Sequence, residues 1–102
     1  MPLKDLTKKE QQVVAECLKA SASGPFFDDD DFHIIFGLSR DEVNEILKGW
    51  PNIDDSDELT KRAINNSINN LIGFPHNKEK FWDEYISVPL AELEKIFKKW
   101  KS

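Results

Sequence analysis

The chain contains almost no cysteine. Cys17 is the only one among 102 residues, so no disulfide can form within the chain. A secreted domain of this size would more often carry paired cysteines. Residues 1–5 are not followed by the apolar core of a signal peptide. We therefore expect a reducing, cytoplasmic location, with Cys17 as a small buried thiol.

Long apolar runs, repeats and flexible linkers are also missing. No window approaches the roughly 20 consecutive apolar residues that a membrane-spanning helix needs. The four glycines and five prolines are too few for a low-complexity linker. Apolar residues make up 39% of the chain and include seven Phe and three Trp, which is enough for one compact core. The sequence therefore predicts a single domain over residues 1–102 that makes no contact with a membrane.

Catalytic and cofactor motifs are absent. The chain has no glycine-rich phosphate loop, no HExxH or CxxC pattern and no nucleophile motif. The acidic run Asp28–Asp31 lacks the ligand spacing, the turn glycine and the distal Glu of a calcium loop. His33 and His76 are the only histidines that could do acid–base work. We expect no enzymatic activity, metal or cofactor, and the alternative is an acid–base site built on both histidines and the acidic run.

Helix-start signals recur along the chain, whereas no segment shows the strict alternation of a strand. Thr7 and Ser39 are each followed three residues later by a glutamate, Glu10 and Glu42, which is the pattern of a capping box. Proline and glycine restrict where such helices can continue. The sequence therefore predicts an all-α, compact single-domain bundle of five to six helices, with irregular packing because the helices differ in length.

The predicted helices follow from these start and stop signals. They run from Thr7 to Ser23-Gly24-Pro25, from within Asp28–Asp31 to Gly37, from Ser39 to Gly49-Trp50-Pro51, from within Asp54–Glu58 to Gly73-Phe74-Pro75, from Asn77 through Tyr85, and from Ser87-Val88-Pro89 onward. The inner face of the last helix is predicted to comprise Leu90, Leu93, Ile96, Phe97 and Trp100.

Four asparagines, at positions 65, 66, 69 and 70, lie in the middle of the fourth predicted helix. Together they oppose helix propensity by about 2 kcal/mol. Residues that break a local rule in this way often serve a polar network or a function. We expect the amides to hydrogen-bond the irregular backbone of residues 24–28 or 73–77, with direct contact to a partner as the alternative.

Charge is distributed unevenly along the chain. Residues 24–58 carry two basic and eleven acidic side chains, a local charge of −9, although the whole chain carries −5. Such a segment repels nucleic acid, whose binding requires neutralised phosphates. It attracts a basic protein and steers its approach. The charge pattern therefore predicts a basic protein partner and no nucleic-acid partner.

The predicted contact surface combines acidic side chains with apolar anchors, because aromatic residues dominate protein interfaces. It comprises Asp28, Asp29, Asp30, Asp31, Asp54, Asp55, Asp57 and Glu58, with Phe26, Phe27 or Trp50 as anchors. A helix-turn-helix regulator is the alternative, since a glycine separates two helices within residues 36–47. Three acidic residues on the would-be recognition helix argue against its entry into a DNA groove.

Two blocks of the chain resemble a family of short bacterial proteins. Residues 24–51 contain GPFF, FH, FGLSRDEV and WP, and residues 65–76 read NNSINNLIGFPH. Similar small α-helical proteins include immunity proteins of contact-dependent growth inhibition and related toxin systems. The resemblance implies a protein that neutralises a cognate toxin domain by stoichiometric binding. Toxin domains of such systems are often nucleases with basic active sites, which agrees in direction with the charge pattern.

Overall fold

The computed structural model describes all residues, 1–102, and contains helices and turns but no strand. Its six α-helices are α1 (Lys8–Ser23), α2 (Asp29–Phe36), α3 (Arg40–Lys48), α4 (Glu58–Gly73), α5 (Trp82–Tyr85) and α6 (Leu90–Lys101). Two short 3₁₀ turns occupy Leu3–Asp5 and Glu79–Phe81. The predicted all-α bundle of five to six helices is confirmed. None of these helices combines the length and the apolar character needed to cross a bilayer.

Side-chain caps fix where α1 and α3 begin. The Thr7 hydroxyl accepts the Glu10 N–H at 3.0 Å, and the Glu10 carboxylate accepts the Thr7 N–H at 2.9 Å. Ser39 and Glu42 make the same reciprocal pair at 3.2 and 2.8 Å. Each box satisfies two backbone donors that the helix itself leaves unpaired. Both predicted capping boxes are therefore present.

The glycines that follow α1 and α2 are needed for two different reasons. Gly37 ends α2 with φ at 71°, in the left-handed region that side chains with a Cβ disfavour. At Gly24 an added Cβ would lie 2.5 Å from the carbonyl oxygen of Ala20, which is too close for any side chain. The chain can therefore turn sharply after α1, at Gly24, and after α2, at Gly37.

Helix α1 runs through the centre of the bundle and packs against α3, α4 and α5. The Arg40 side chain, at the start of α3, binds the carbonyl oxygens of Ser21 and Ala22 in the last turn of α1. The Asp55 carboxylate, in the connection before α4, accepts the N–H of Leu3, in the 3₁₀ turn before α1. It follows that α3 runs antiparallel to α1 and that α4 runs parallel to it.

A single core of 23 buried side chains lies between these helices. Leu18 of α1, Phe36 of α2 and Ile68 of α4 are among its fully buried members. Helices α2 and α6 both pack on α4. The core therefore depends mainly on α1 and α4, the two longest helices.

The last third of the chain departs from the prediction in two places. Residues 77 and 78 do not join the fifth helix, because Asn77 has a positive φ of 57°, which a right-handed helix does not allow. Leu90 is 43% exposed rather than part of the inner face. It lies in the first turn of α6, whose buried stripe begins only at Leu93.

The burial pattern predicts that substitutions at two isoleucines change the free energy of unfolding by very different amounts. Ile68 is fully buried in α4, whereas Ile34 is 82% exposed on α2. Ile68→Ala should lower the free energy of unfolding by about 2–5 kcal/mol, because it removes buried surface and leaves a cavity. Ile34→Ala should change it by less than about 0.5 kcal/mol. Urea unfolding followed by circular dichroism measures both values, and equal losses would contradict this description of the core.

Candidate functional site

The acidic run lies at the start of α2 and faces solvent. Asp28 is the N-cap residue, and Asp29, Asp30 and Asp31 form the first helical turn. All four are exposed, and only Asp29 has an ionic partner, the Arg40 guanidinium at 3.0 Å. No hydrogen bond or ion pair within the chain engages the carboxylates of Asp28, Asp30 or Asp31. Three of the four carboxylates are therefore available to an external cation.

The Arg40 side chain holds this end of the molecule together. Its Nη1 donates to the carbonyl oxygens of Ser21 at 3.0 Å and Ala22 at 2.9 Å. Its Nη2 donates to the carbonyl oxygen of Phe27 at 2.6 Å, and its guanidinium lies 4.5 Å from the centroid of the Phe32 ring. Helix α1 has no basic residue in its own last turn, so Arg40 satisfies carbonyls that the helix leaves free. Sequence reasoning missed this role because no local pattern reports a partner so distant along the chain.

Phe26 and Phe27 are core residues, and the prediction that they anchor a partner is wrong. Their exposed fractions are 2% and 5%. The Phe26 ring packs edge-on against the His76 ring with centroids 5.1 Å apart, and the Phe27 ring packs against Phe36 at the same distance. Burying a Phe side chain stabilises a fold by about 1.5–3 kcal/mol, so the loop after α1 turns its rings inward. Neither ring can contact a partner unless the core opens.

The second acidic group, Asp54–Glu58, is mostly committed to internal hydrogen bonds. Asp54 accepts the N–H and the hydroxyl of Ser56 at 3.0 and 2.6 Å, and these bonds hold the pKa of its carboxyl below the ordinary value. Asp57 caps α4 by accepting the N–H and the hydroxyl of Thr60. Glu58 is exposed and has no partner. Most of this group is therefore structural.

Asp55 joins the N-terminal segment to the last helix. Its Oδ2 accepts the N–H of Leu3 at 2.8 Å and the indole Nε1–H of Trp100, also at 2.8 Å. The carboxylate is half-buried, and losing either donor would leave part of its hydrogen-bonding capacity unmet. The predicted partner-binding residue Asp55 thus has a structural role.

The two acidic groups do not lie together. The α2 group is tied through Arg40 to the last turn of α1, and the Asp54–Glu58 group is tied through Asp55 to the 3₁₀ turn that precedes α1. Helix α1 has 16 residues, which corresponds to a length of about 24 Å. Trp50, in the connection between α3 and α4, is half-buried against the core. The acidic residues of the predicted contact surface therefore lie in two separate groups.

The histidines are also placed differently from each other. The Nδ1 of His76 accepts the N–H of Lys78 at 3.0 Å, which leaves the proton on Nε2 to donate to the carbonyl oxygen of Leu71 at 3.1 Å. Both ring nitrogens of His76 are thereby used in holding the loop after α4. His33 is exposed on α2. No group of three or more His, Cys, Asp or Glu side chains lies close enough to hold a metal ion.

The asparagine cluster hydrogen-bonds the end of α2 and not the backbone of residues 24–28 or 73–77. Asn66 Nδ2 donates to the carbonyl oxygen of Phe36 at 2.6 Å, in the last residue of α2. Asn65 Nδ2 donates to the side-chain oxygen of Asn66, and Asn70 Nδ2 donates to the backbone oxygen of Asn66. The expected contact with residues 24–28 or 73–77 is wrong, because the free carbonyls at the end of α2 lie against α4 instead. Asn66 therefore fixes the position of α2.

Two further features show no sign of a binding role. Cys17 is completely buried, and burial raises the pKa of its thiol, so it stays protonated and unreactive. A groove of about 630 Å³ lies beside the start of α4 and is lined by Glu58, Lys61 and Arg62 among others. Its lining mixes both signs of charge and contains only two hydrophobic residues.

The geometry around Arg40 predicts that lysine cannot replace it. Arg40→Lys loses the planar fork that reaches three carbonyl oxygens and leaves some of them unpaired. The free energy of unfolding should fall by about 1–3 kcal/mol. Arg62→Lys is the matched control, because Arg62 is exposed and forms no hydrogen bond or ion pair. Denaturant unfolding of both variants is the measurement, and equal stability of the two would contradict the role of Arg40.

Comparison of the chain with models of protein families, with curated proteins and with solved structures found no match. A function must in any case be argued from a site, because one fold serves many functions. The acidic site with unused charge is the start of α2, where Asp28, Asp30 and Asp31 are exposed to solvent.

Proposed function

We propose that the chain is a non-enzymatic acidic binding protein, an immunity protein that neutralises a basic, nuclease-type toxin domain by stoichiometric binding. The observation that supports this most is the set of three exposed carboxylates at the start of α2 that no group within the chain engages. The resemblance of residues 24–51 and 65–76 to small bacterial immunity proteins agrees with it.

The free carboxylates have an electrostatic cost that a partner can remove. A helix N-terminus favours negative charge, but its macrodipole amounts to only about half an elementary charge. Asp28, Asp30 and Asp31 add three charges there, while Asp29 is already balanced by Arg40. Like charges at this spacing repel one another, and a basic surface replaces that repulsion with attraction.

The second acidic group offers less support for binding. Three of its carboxylates accept hydrogen bonds within the chain, so a partner would have to compete with those bonds. A partner at the start of α2 meets no such competition. The contact surface in this proposal is therefore centred on α2 and not on Asp54–Glu58.

Inhibition by such a protein requires no turnover. A nuclease needs a basic active site because its substrate is a chain of phosphates. An acidic protein that occupies this site excludes the substrate. Long-range attraction raises the association rate, and buried apolar contacts lengthen the lifetime of the complex.

The two alternatives have less support. As a DNA-binding helix, α3 would present Asp41 and Glu45 to the phosphates, and its Lys48 is already paired with Glu45 at 2.7 Å. An acid–base enzyme would need a free imidazole, yet both ring nitrogens of His76 are engaged by the backbone.

Two pairs of substitutions with the same change in charge test the proposal. Asp30→Asn/Asp31→Asn alters the α2 surface, and Asp83→Asn/Glu84→Gln alters exposed residues of α5. A basic protein captured from a lysate of the native host at low salt should associate about tenfold more slowly with the α2 variant than with the parent, and the control should change much less. Stopped-flow rates at low and high salt measure this, and high salt should remove the difference.

Two outcomes would contradict the proposal. The first is an association rate at low salt that is the same for the parent and the α2 variant. The second is a captured protein whose own activity continues when it is saturated with an equal amount of the chain.

A further inference from the structure

Ile34 is the one large apolar side chain that the fold leaves almost entirely in water. It is 82% exposed, whereas the next most exposed large apolar residues, Leu90 and Met1, are 43% and 40% exposed. An isolated exposed apolar side chain is ordinary on a protein surface. Its position among charges on α2 is what distinguishes Ile34.

Helix geometry places Ile34 at the outermost point of α2. Phe32 and Phe36 are buried and define the inner face of the helix. Ile34 is two residues from each of them, which at 3.6 residues per turn puts it on the opposite side. Asp30 and Asp31 precede Ile34 by four and three residues, so both carboxylates flank it on the same outer surface.

Folding does not account for isoleucine at this position. The side chain gains nothing from burial, and a branched side chain is slightly unfavourable in a helix. A polar residue would serve a solvent-facing position of this short helix at least as well. The surface formed by Asp30, Asp31 and Ile34, here named the α2 outer face, therefore joins an unused apolar group to unused charges.

We propose that Ile34 is the apolar anchor of a docking site on the α2 outer face. The occupant is a basic protein surface with an apolar pocket bordered by Lys or Arg side chains, so that the pocket receives Ile34 and the cations meet Asp30 and Asp31. This inference rests on the proposed function and adds to it the residue that sets the lifetime of the complex, in place of the buried Phe26 and Phe27.

Charge selects this occupant over the others that an exposed apolar group could attract. A second copy of the chain docking through the same face would bring two pairs of aspartates together, and their repulsion opposes it. Anionic lipid and nucleic acid carry the same sign of charge as Asp30 and Asp31 and are repelled as well. A basic protein alone satisfies both the apolar group and the carboxylates.

Two synthetic peptides separate the apolar contribution from the ionic one. The first is an amphipathic helical peptide of Lys and Leu, and the second is the same peptide with Gln in place of every Leu. At low salt the Lys/Leu peptide should bind the protein more tightly than the Lys/Gln peptide. Ile34→Ser should weaken the Lys/Leu complex about tenfold and leave the Lys/Gln complex unchanged, because only the first peptide buries the side chain.

Titration calorimetry measures these affinities, and amide chemical shifts report whether residues 29–37 are the ones perturbed. Ser and Ile have similar helix propensities, so Ile34→Ser should fold as the parent does. Leu90→Ser is the matched control on α6 and should bind both peptides normally.

The outcomes distinguish the anchor from the function on which it rests. If Ile34→Ser binds the Lys/Leu peptide as tightly as the parent while Asp30→Asn/Asp31→Asn weakens both peptides, the anchor is wrong and the acidic contact stands. If neither variant changes binding, or if the shifts lie outside α2, the docking site is wrong altogether.

Discussion

The arrangement of this protein depends on the guanidinium of Arg40. It closes the last turn of α1, fixes the loop that carries Phe27, lies over the ring of Phe32 and neutralises Asp29. One side chain thus joins three helices at one end of the bundle. Because its hydrogen bonds go to backbone oxygens that no helix can satisfy internally, removing it would expose several unpaired acceptors at once.

The same interaction separates structural charge from available charge. Asp29 is committed to Arg40, and Asp28, Asp30 and Asp31 have no internal partner. At the opposite end of α1, Asp55 is committed to Leu3 and Trp100. The molecule therefore has one end where carboxylates hold the fold and another where they face solvent without a use in the fold. The proposal of a basic partner on α2 follows from that asymmetry.

Local interactions were predictable from the sequence, and long-range ones were not. The capping box of Ser39 with Glu42 and the end of α2 at Gly37 depend on neighbours within a few residues, so sequence patterns were sufficient. The roles of Arg40 and Asn66 depend on carbonyls 13 to 30 residues away, and no local pattern reports them. The sequence did not predict that Phe27 turns inward, because tertiary packing decides which side chains of a loop are buried.

The location of the partner is the claim that a single measurement tests most directly. Hydrogen–deuterium exchange would compare the free protein with its complex with the captured basic protein. A contact on α2 predicts slower exchange for amides of residues 29–37 on complex formation and unchanged exchange for residues 54–60. Slower exchange at residues 54–60 with no change in α2 would contradict it, because the contact would then lie at the opposite end of α1.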